Sequence, residues 1–155
     1  MRTSRSIALA LAAGLVMVGT ASGQDKRIKR SALPPAVQQA VREQTEGATI
    51  RGFSQERENG QTMYEAELTV RGRTRDVLMD STGAVVEVEQ QVTMASLPAA
   101  VAAGLKAQAG KGRITKVQTI TKHGTLVAYE ARVVTGGKRS EIQVGPDGKP
   151  LAHEE

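Results

Sequence analysis

The chain contains no cysteine and no tryptophan. The first absence removes disulfides, zinc–thiolate sites, cysteine nucleophiles and the lipid-modified cysteine of a bacterial lipoprotein. Aromatic residues amount to only 2 %, namely Phe53, Tyr64 and Tyr129. A core must therefore be assembled from Val, Leu, Ile, Ala and Met, and no series of rings exists on which nucleic-acid bases could stack. The two histidines, His123 and His153, are placed at an expected hairpin tip and in the tail, which makes a shared metal site improbable. No serine sits in a nucleophile elbow. Neither catalysis nor a cofactor is expected from this inventory.

Long apolar runs are also missing. The longest, Ile7 to Val18, falls short of the ~20 residues that cross a bilayer. Arg2 and Arg5 precede it and Ala21, Ser22 and Gly23 follow it, which is the layout of a signal peptide over 1–23 with Gln24 as the first mature residue. The chain is thus expected to be exported to the periplasm or beyond, with no transmembrane anchor after cleavage. Losing the two arginines lowers the formal charge of +5 to +3. Much of the remaining excess lies in Lys26, Arg27, Lys29 and Arg30, read as a basic linker over 24–31.

What is present is a globular composition, 39 % hydrophobic and 24 % charged, with the mature chain matching itself. Leu33-Pro34, Val37, Val41, Ile50 and Gly60 recur as Leu97-Pro98, Val101, Leu105, Ile114 and Gly124 at an offset of 64 residues. Tyr64-Glu65-Ala66 returns as Tyr129-Glu130-Ala131 one residue later, after an insertion near Thr125. In each copy Leu-Pro opens a helix whose apolar residues fall four apart. Gly104 interrupts the second helix and should weaken it by ~1 kcal/mol relative to alanine. Strand alternation follows, clearest where Tyr64, Ala66, Leu68 and Val70 interleave with Glu65, Glu67, Thr69 and Arg71. Asn59-Gly60, Asp80-Ser81-Thr82-Gly83 and Gly145-Pro146-Asp147-Gly148 read as turns. The expected fold is α+β: two tandem repeats, 32–90 and 97–155, joined by a linker over 91–96. Each would be one helix packed on a four-stranded antiparallel sheet.

Leu33-Pro34-x-x-Val37, Ile50, Gly60, Tyr64-Glu65-x-Glu67, Gly72, Asp80-x-x-Gly83 and Val86-x-Val88-Glu89 together resemble the PepSY family. Leu97-Pro98-x-x-Val101, Ile114, Gly124, Tyr129-Glu130-x-x-Val133, Gly136 and Asp147-x-Lys149 carry the likeness less exactly through the second copy. Arg132 departs from it by replacing the second acidic residue of the Tyr-Glu-x-Glu strand. The resemblance implies an extracytoplasmic, non-catalytic module, some members being grouped with β-lactamase-inhibitor-like folds. It implies binding of a protein or peptide, including inhibition of a peptidase in trans, since no protease domain follows. The alternative is an envelope sensor or scaffold that binds a metal ion or small ligand.

The candidate contact residues are Glu65, Glu67, Glu130, Tyr64 and Tyr129. Glu65 with Glu67, and Glu87 with Glu89, share a strand face at i and i+2 and could meet a cation or a basic peptide; a solvated face with cross-strand ion pairs is the competing reading. Tyr64 and Tyr129 are either partner anchors or core residues packed beneath the helices. A partner is expected across the open sheet face, touching Glu65 and Glu130. The mass of exported material tests the first step: it should begin at Gln24, and a mature protein retaining Ile7 to Val18 would defeat the export reading.

Overall fold

Two stretches with apolar residues four apart form the helices, α1 (Pro35–Gln44) and α2 (Ala99–Ala109). Pro34 and Pro98 stand at their N-caps in extended backbone, and Pro35 occupies a first-turn position where its missing N–H costs nothing. Val37, Val41, Val101 and Leu105 are fully buried. In the computed structural model, which describes residues 26–58, 60–153 and 155, the remaining elements are strands and two short 3-10 helices, Arg30–Ala32 and Met94–Ser96. The expected signal peptide, 1–23, lies outside the described residues, as does Asn59 of the Asn59-Gly60 turn.

The strands are β1 (Lys26–Ile28), β2 (Ala48–Glu58), β3 (Gln61–Val70), β4 (Arg73–Met79), β5 (Val85–Val92), β6 (Arg113–Lys122), β7 (Thr125–Thr135) and β8 (Lys138–Val144). Two-residue loops join β3 to β4, β6 to β7 and β7 to β8. Arg71-Gly72, His123-Gly124 and Gly136-Gly137 hold positive φ at both central residues, the turn geometry whose twist matches that of the flanking strands.

Instead of two four-stranded sheets there is one antiparallel sheet of eight strands in the order β1-β2-β3-β4-β5-β6-β7-β8. The expected fold of two separate helix-on-four-strand repeats is therefore corrected. Glu87 to Val92 of β5 pairs with Val117 to Lys122 of β6, so the edge that each half would expose is satisfied by the other. The segment expected as a basic linker contributes β1, whose Ile28 pairs with Phe53. Val92 pairs with Val117, the same two positions displaced by 64 residues. The fourth strand expected after β8 is a single bridge between Val144 and Pro150. Proline supplies no N–H, so a ladder cannot continue through it.

Both helices cover one face of the sheet. Val37 and Val41 pack with Phe53, Leu68, Val77 and Met79, and Val101 and Leu105 pack with Val117, Tyr129, Ala131 and Val144. Val88 borders the first cluster and Val92 the second. They share a parity on β5, which places α1 and α2 on the same side.

Gly104 has a purpose that helix propensity does not disclose. A Cβ there would stand 2.0 Å from the carbonyl oxygen of Gly148, and one on Gly148 would stand 2.3 Å from that of Ala100. The turn after β8 thus lies directly on the backbone of α2. Gly104→Ala, which propensity alone favours by ~1 kcal/mol, should lower the Tm instead, and Leu105→Ala should cost about 2–5 kcal/mol. Gln39→Ala, on the exposed side of α1, should stay within about 0.5 kcal/mol. Urea unfolding of the three variants measures this; a stabilised Gly104→Ala would show that the turn does not rest on the helix.

Candidate functional site

The face away from the helices is where the acidic residues of alternate strand positions gather. Register sets Ser54, Glu65, Leu78, Glu87 and Lys122 in one row across β2 to β6. The next row holds Gly52, Glu67, Asp76, Glu89 and Ile120. On the far side Gln118 faces Glu130, which faces Gln143. Glu56, Glu65, Asp76, Leu78, Glu87 and Glu89 line a depression of about 180 Å³. A wider hollow of about 400 Å³ adjoins it toward the hairpin end, where Met63, Leu78 and Val86 meet Lys122 and His123.

Cations tie down the side of this acidic field nearest β1. Arg27 Nη1 lies 2.7 Å from Glu67 Oε1. The guanidinium reaches it by passing over Gly52, so a side chain there would make Arg27 shift. Arg51 Nη2 donates to Asp76 Oδ1 at 2.7 Å, and its Nη1 lies 3.6 Å from Glu67 Oε2. At the opposite edge Arg132 donates to Glu141 Oε1 from Nη2 at 3.0 Å and from Nε at 3.2 Å.

Between these edges several carboxylates accept from neutral groups. Ser54 Oγ donates to Glu65 Oε2 at 2.7 Å. The buried carboxamide of Gln118 donates from Nε2 to Glu89 Oε2 and, at 3.2 Å, to Glu130 Oε1. Gln143 Nε2 donates to Glu130 Oε2 at 3.0 Å. Desolvation is the dominant effect on these carboxyls and outweighs the donors around them. Burial, reinforced by the charges of Glu130, Glu87 and Asp76, pushes the Glu89 carboxyl up to about 7. Burial likewise raises Glu87, Glu130 and Asp76 above the ordinary carboxylate range. Lys122 opposes it at Glu87, the Gln143 hydrogen bond at Glu130, and Arg51 at Asp76. Among the described residues no group of three His, Asp or Glu is placed to hold a metal ion.

The five candidate residues divide between the two faces. Glu65, Glu67 and Glu130 stand on the open face, Glu65 and Glu130 separated by β4, β5 and β6. Tyr129 is buried in the cluster under α2, and Tyr64 is half-buried against the cluster under α1. With Phe53 also under α1, the open face carries no aromatic side chain. Asp76, Gln118 and Gln143 were not foreseen as parts of this surface. The signal for Gln118 is a polar residue between Val117 and Ile120 that is only 5 % exposed.

The elevated acidities imply a stability that depends on pH. Glu89 has a folded-state pKa of about 7 against an ordinary value of 4.5, so between those limits the native chain binds more protons than the unfolded one. Stability must then fall as pH rises from about 4.5 to about 7. Glu89→Gln should raise stability at pH 7.5 by about 1–2 kcal/mol, allowing for solvent screening, and should leave it nearly unchanged at pH 4. Urea unfolding across that range is the measurement; a flat difference between wild type and variant would contradict it.

No family model matches the chain, and no curated protein matches it in sequence. Solved structures do match its shape. A candidate periplasmic protein of Bacteroides eggerthii superposes with a TM-score of 0.63 at 20 % identity, covering 77 % of this chain and 86 % of that one. A BLIP-like protein of Bacteroides fragilis gives a TM-score of 0.57 at 22 % identity, covering 79 % and 86 %. A DUF2874-family protein of Bacteroides ovatus gives 0.61 at 17 % identity, covering 77 % and 84 %. The chain therefore has the fold of BLIP-like and DUF2874 proteins.

Proposed function

We propose that this chain is a PepSY-like, non-catalytic binding protein that works in the periplasm and docks a protein or peptide on the open face of its sheet. The observation that carries this reading is the acidic field itself. Among the described residues eight strands hold one face free of helices, and that face concentrates carboxylates although the whole chain carries a net charge of +5. Desolvation makes those carboxylates costly to keep ionised. A partner bearing Lys or Arg would relieve that cost by pairing with them, so the free protein is poised to gain energy on binding. Solvated surface glutamates would offer much less.

The location is supported by the expected signal peptide and by the periplasmic description of the B. eggerthii neighbour. Among the described residues no helix is long and apolar enough to cross a membrane. Use as an inhibitor, with a peptidase as the target, is supported by the PepSY-like residues and by the name of the BLIP-like neighbour. The aromatic side chains lie beneath the helices, so contacts on the open face would be chiefly polar and charge-assisted, with specificity set by register along the acidic rows.

Capture from an envelope extract tests the surface. Proteins retained by the wild-type chain at low salt should elute as salt is raised. Glu65→Ala and Glu130→Ala should each retain them at least tenfold less strongly, with the fold confirmed by circular dichroism. Equal retention by both variants at low and high salt would remove this face from consideration.

A further inference from the structure

Ile120 and Ala128 pair across β6 and β7, and both are buried, at 1 % and 0 % exposure. Neither belongs to the clusters beneath the helices. Ile120 faces Glu89 across β5 and β6, so the pair lies on the open face. An aliphatic pair on a water-facing sheet stays this well hidden only when something lies over it.

The chain that follows β8 supplies a cover. Pro150 still pairs beside Val144, but Glu155 has crossed to the open face. Its backbone N–H donates to Gln143 Oε1 at 2.8 Å, and its Oε2 lies 3.4 Å from Lys122 Nζ. Gln143 belongs to β8 and Lys122 to β6, with β7 between them. A residue that touches both must lie over β7. Gln143 pairs with Glu130, two residues from Ala128, and Lys122 lies two residues from Ile120. Glu155 therefore spans the aliphatic pair.

We propose that Glu155, carried by the chain that follows β8, is an internal occupant of the docking face, a strap that an incoming partner displaces. The inference rests on the reading of the open face as the binding surface. Both ties are of a kind that can be exchanged. Lys122 and Glu155 are about one third exposed, and an ion pair so placed adds little stability. Lys122 also faces Glu87 Oε2 at 3.8 Å, so it keeps a carboxylate when the strap leaves. Gln143 connects the strap to the acidic field, because it accepts from Glu155 N–H while donating to Glu130, and Gln118 continues the chain from Glu130 to Glu89. A partner that replaces the strap must offer an apolar group to Ile120 and Ala128, in addition to the cations that the acidic rows demand.

The test uses the chain ended at Ala152 and, in the full chain, Glu155→Gln. In the shortened chain an amine-reactive label should modify Lys122 several-fold faster, with Lys116 and Lys149 as internal references. The amide resonances of Ile120 and Ala128 should shift while those of Val37 and Val101 stay. Glu155→Gln should move Lys122 in the same direction by a smaller factor. A synthetic peptide of residues 150–155 should restore the resonances of the shortened chain and leave the full chain unaffected. Unchanged Lys122 labelling with unmoved Ile120 and Ala128 resonances would overturn the strap. These readouts need no partner, so they stand apart from the Glu65→Ala and Glu130→Ala experiment. In capture the shortened chain should retain the partner more strongly than the full chain; equal retention would overturn the role of the strap even where those two variants support the face.

Discussion

The pairing of β5 with β6 is the constraint on which the rest of the molecule depends. Neither half of the chain closes its own sheet, and a half standing alone would present a row of unpaired N–H and C=O groups along β5 or β6. Joining Glu87–Val92 to Val117–Lys122 satisfies both rows and fixes the register between the halves. That register is what sets Glu87 beside Lys122 and Glu89 beside Ile120. A slip of one residue would send Glu87 and Glu89 to the helix side and Val88 and Val92 to water. The helices therefore do more than bury a core, since their apolar stripes settle which face of the sheet is dry and so which side chains make up the other face.

On that other face the charges fall into two regimes. Toward β1, Arg27 and Arg51 neutralise Glu67 and Asp76 at ion-pair distances. Between β5 and β8, amides hold the carboxylates of Glu89 and Glu130, and burial raises the pKa of both. The first regime is self-contained and offers little to a newcomer. The second is held by donors that a cation can outcompete.

Much of the local structure was legible because periodicity reports it directly. Tyr64, Ala66, Leu68 and Val70 alternate with polar residues, and β3 lies there with its apolar set toward α1. Val37 and Val41 sit one helical turn apart and mark the stripe of α1. The union of the halves was not legible, because periodicity within a strand carries no information about which distant strand it joins. Lys26-Arg27-Ile28 is too short and too basic to be read as β-structure, and becomes a strand only because β2 presents an edge to it. Pro150 held a readable warning against a fourth strand after β8, in its missing N–H. Gly104 was read as a defect of the helix because propensity describes a helix alone, whereas the turn at Gly148 decides the residue. Of the site, the acidic face could be foreseen from Glu65 and Glu67, but Gln118 and Gln143 owe their importance to cross-strand neighbours that no local pattern reveals.

The hairpins with two-residue loops pair neighbours in the chain and can form early, since closing a short loop costs little entropy. Ile28 with Phe53 and Val92 with Val117 instead meet across a whole helix, and contacts of that sequence separation form slowly. A nascent chain whose first half has folded thus carries a bare β5 edge until α2 and β6 arrive. During that interval the β6 of another copy is chemically equivalent to its own, and accepting it would give a dimer with exchanged halves. The single sheet that makes the open face continuous also makes the order and timing of assembly a hazard, greatest where many copies fold close together.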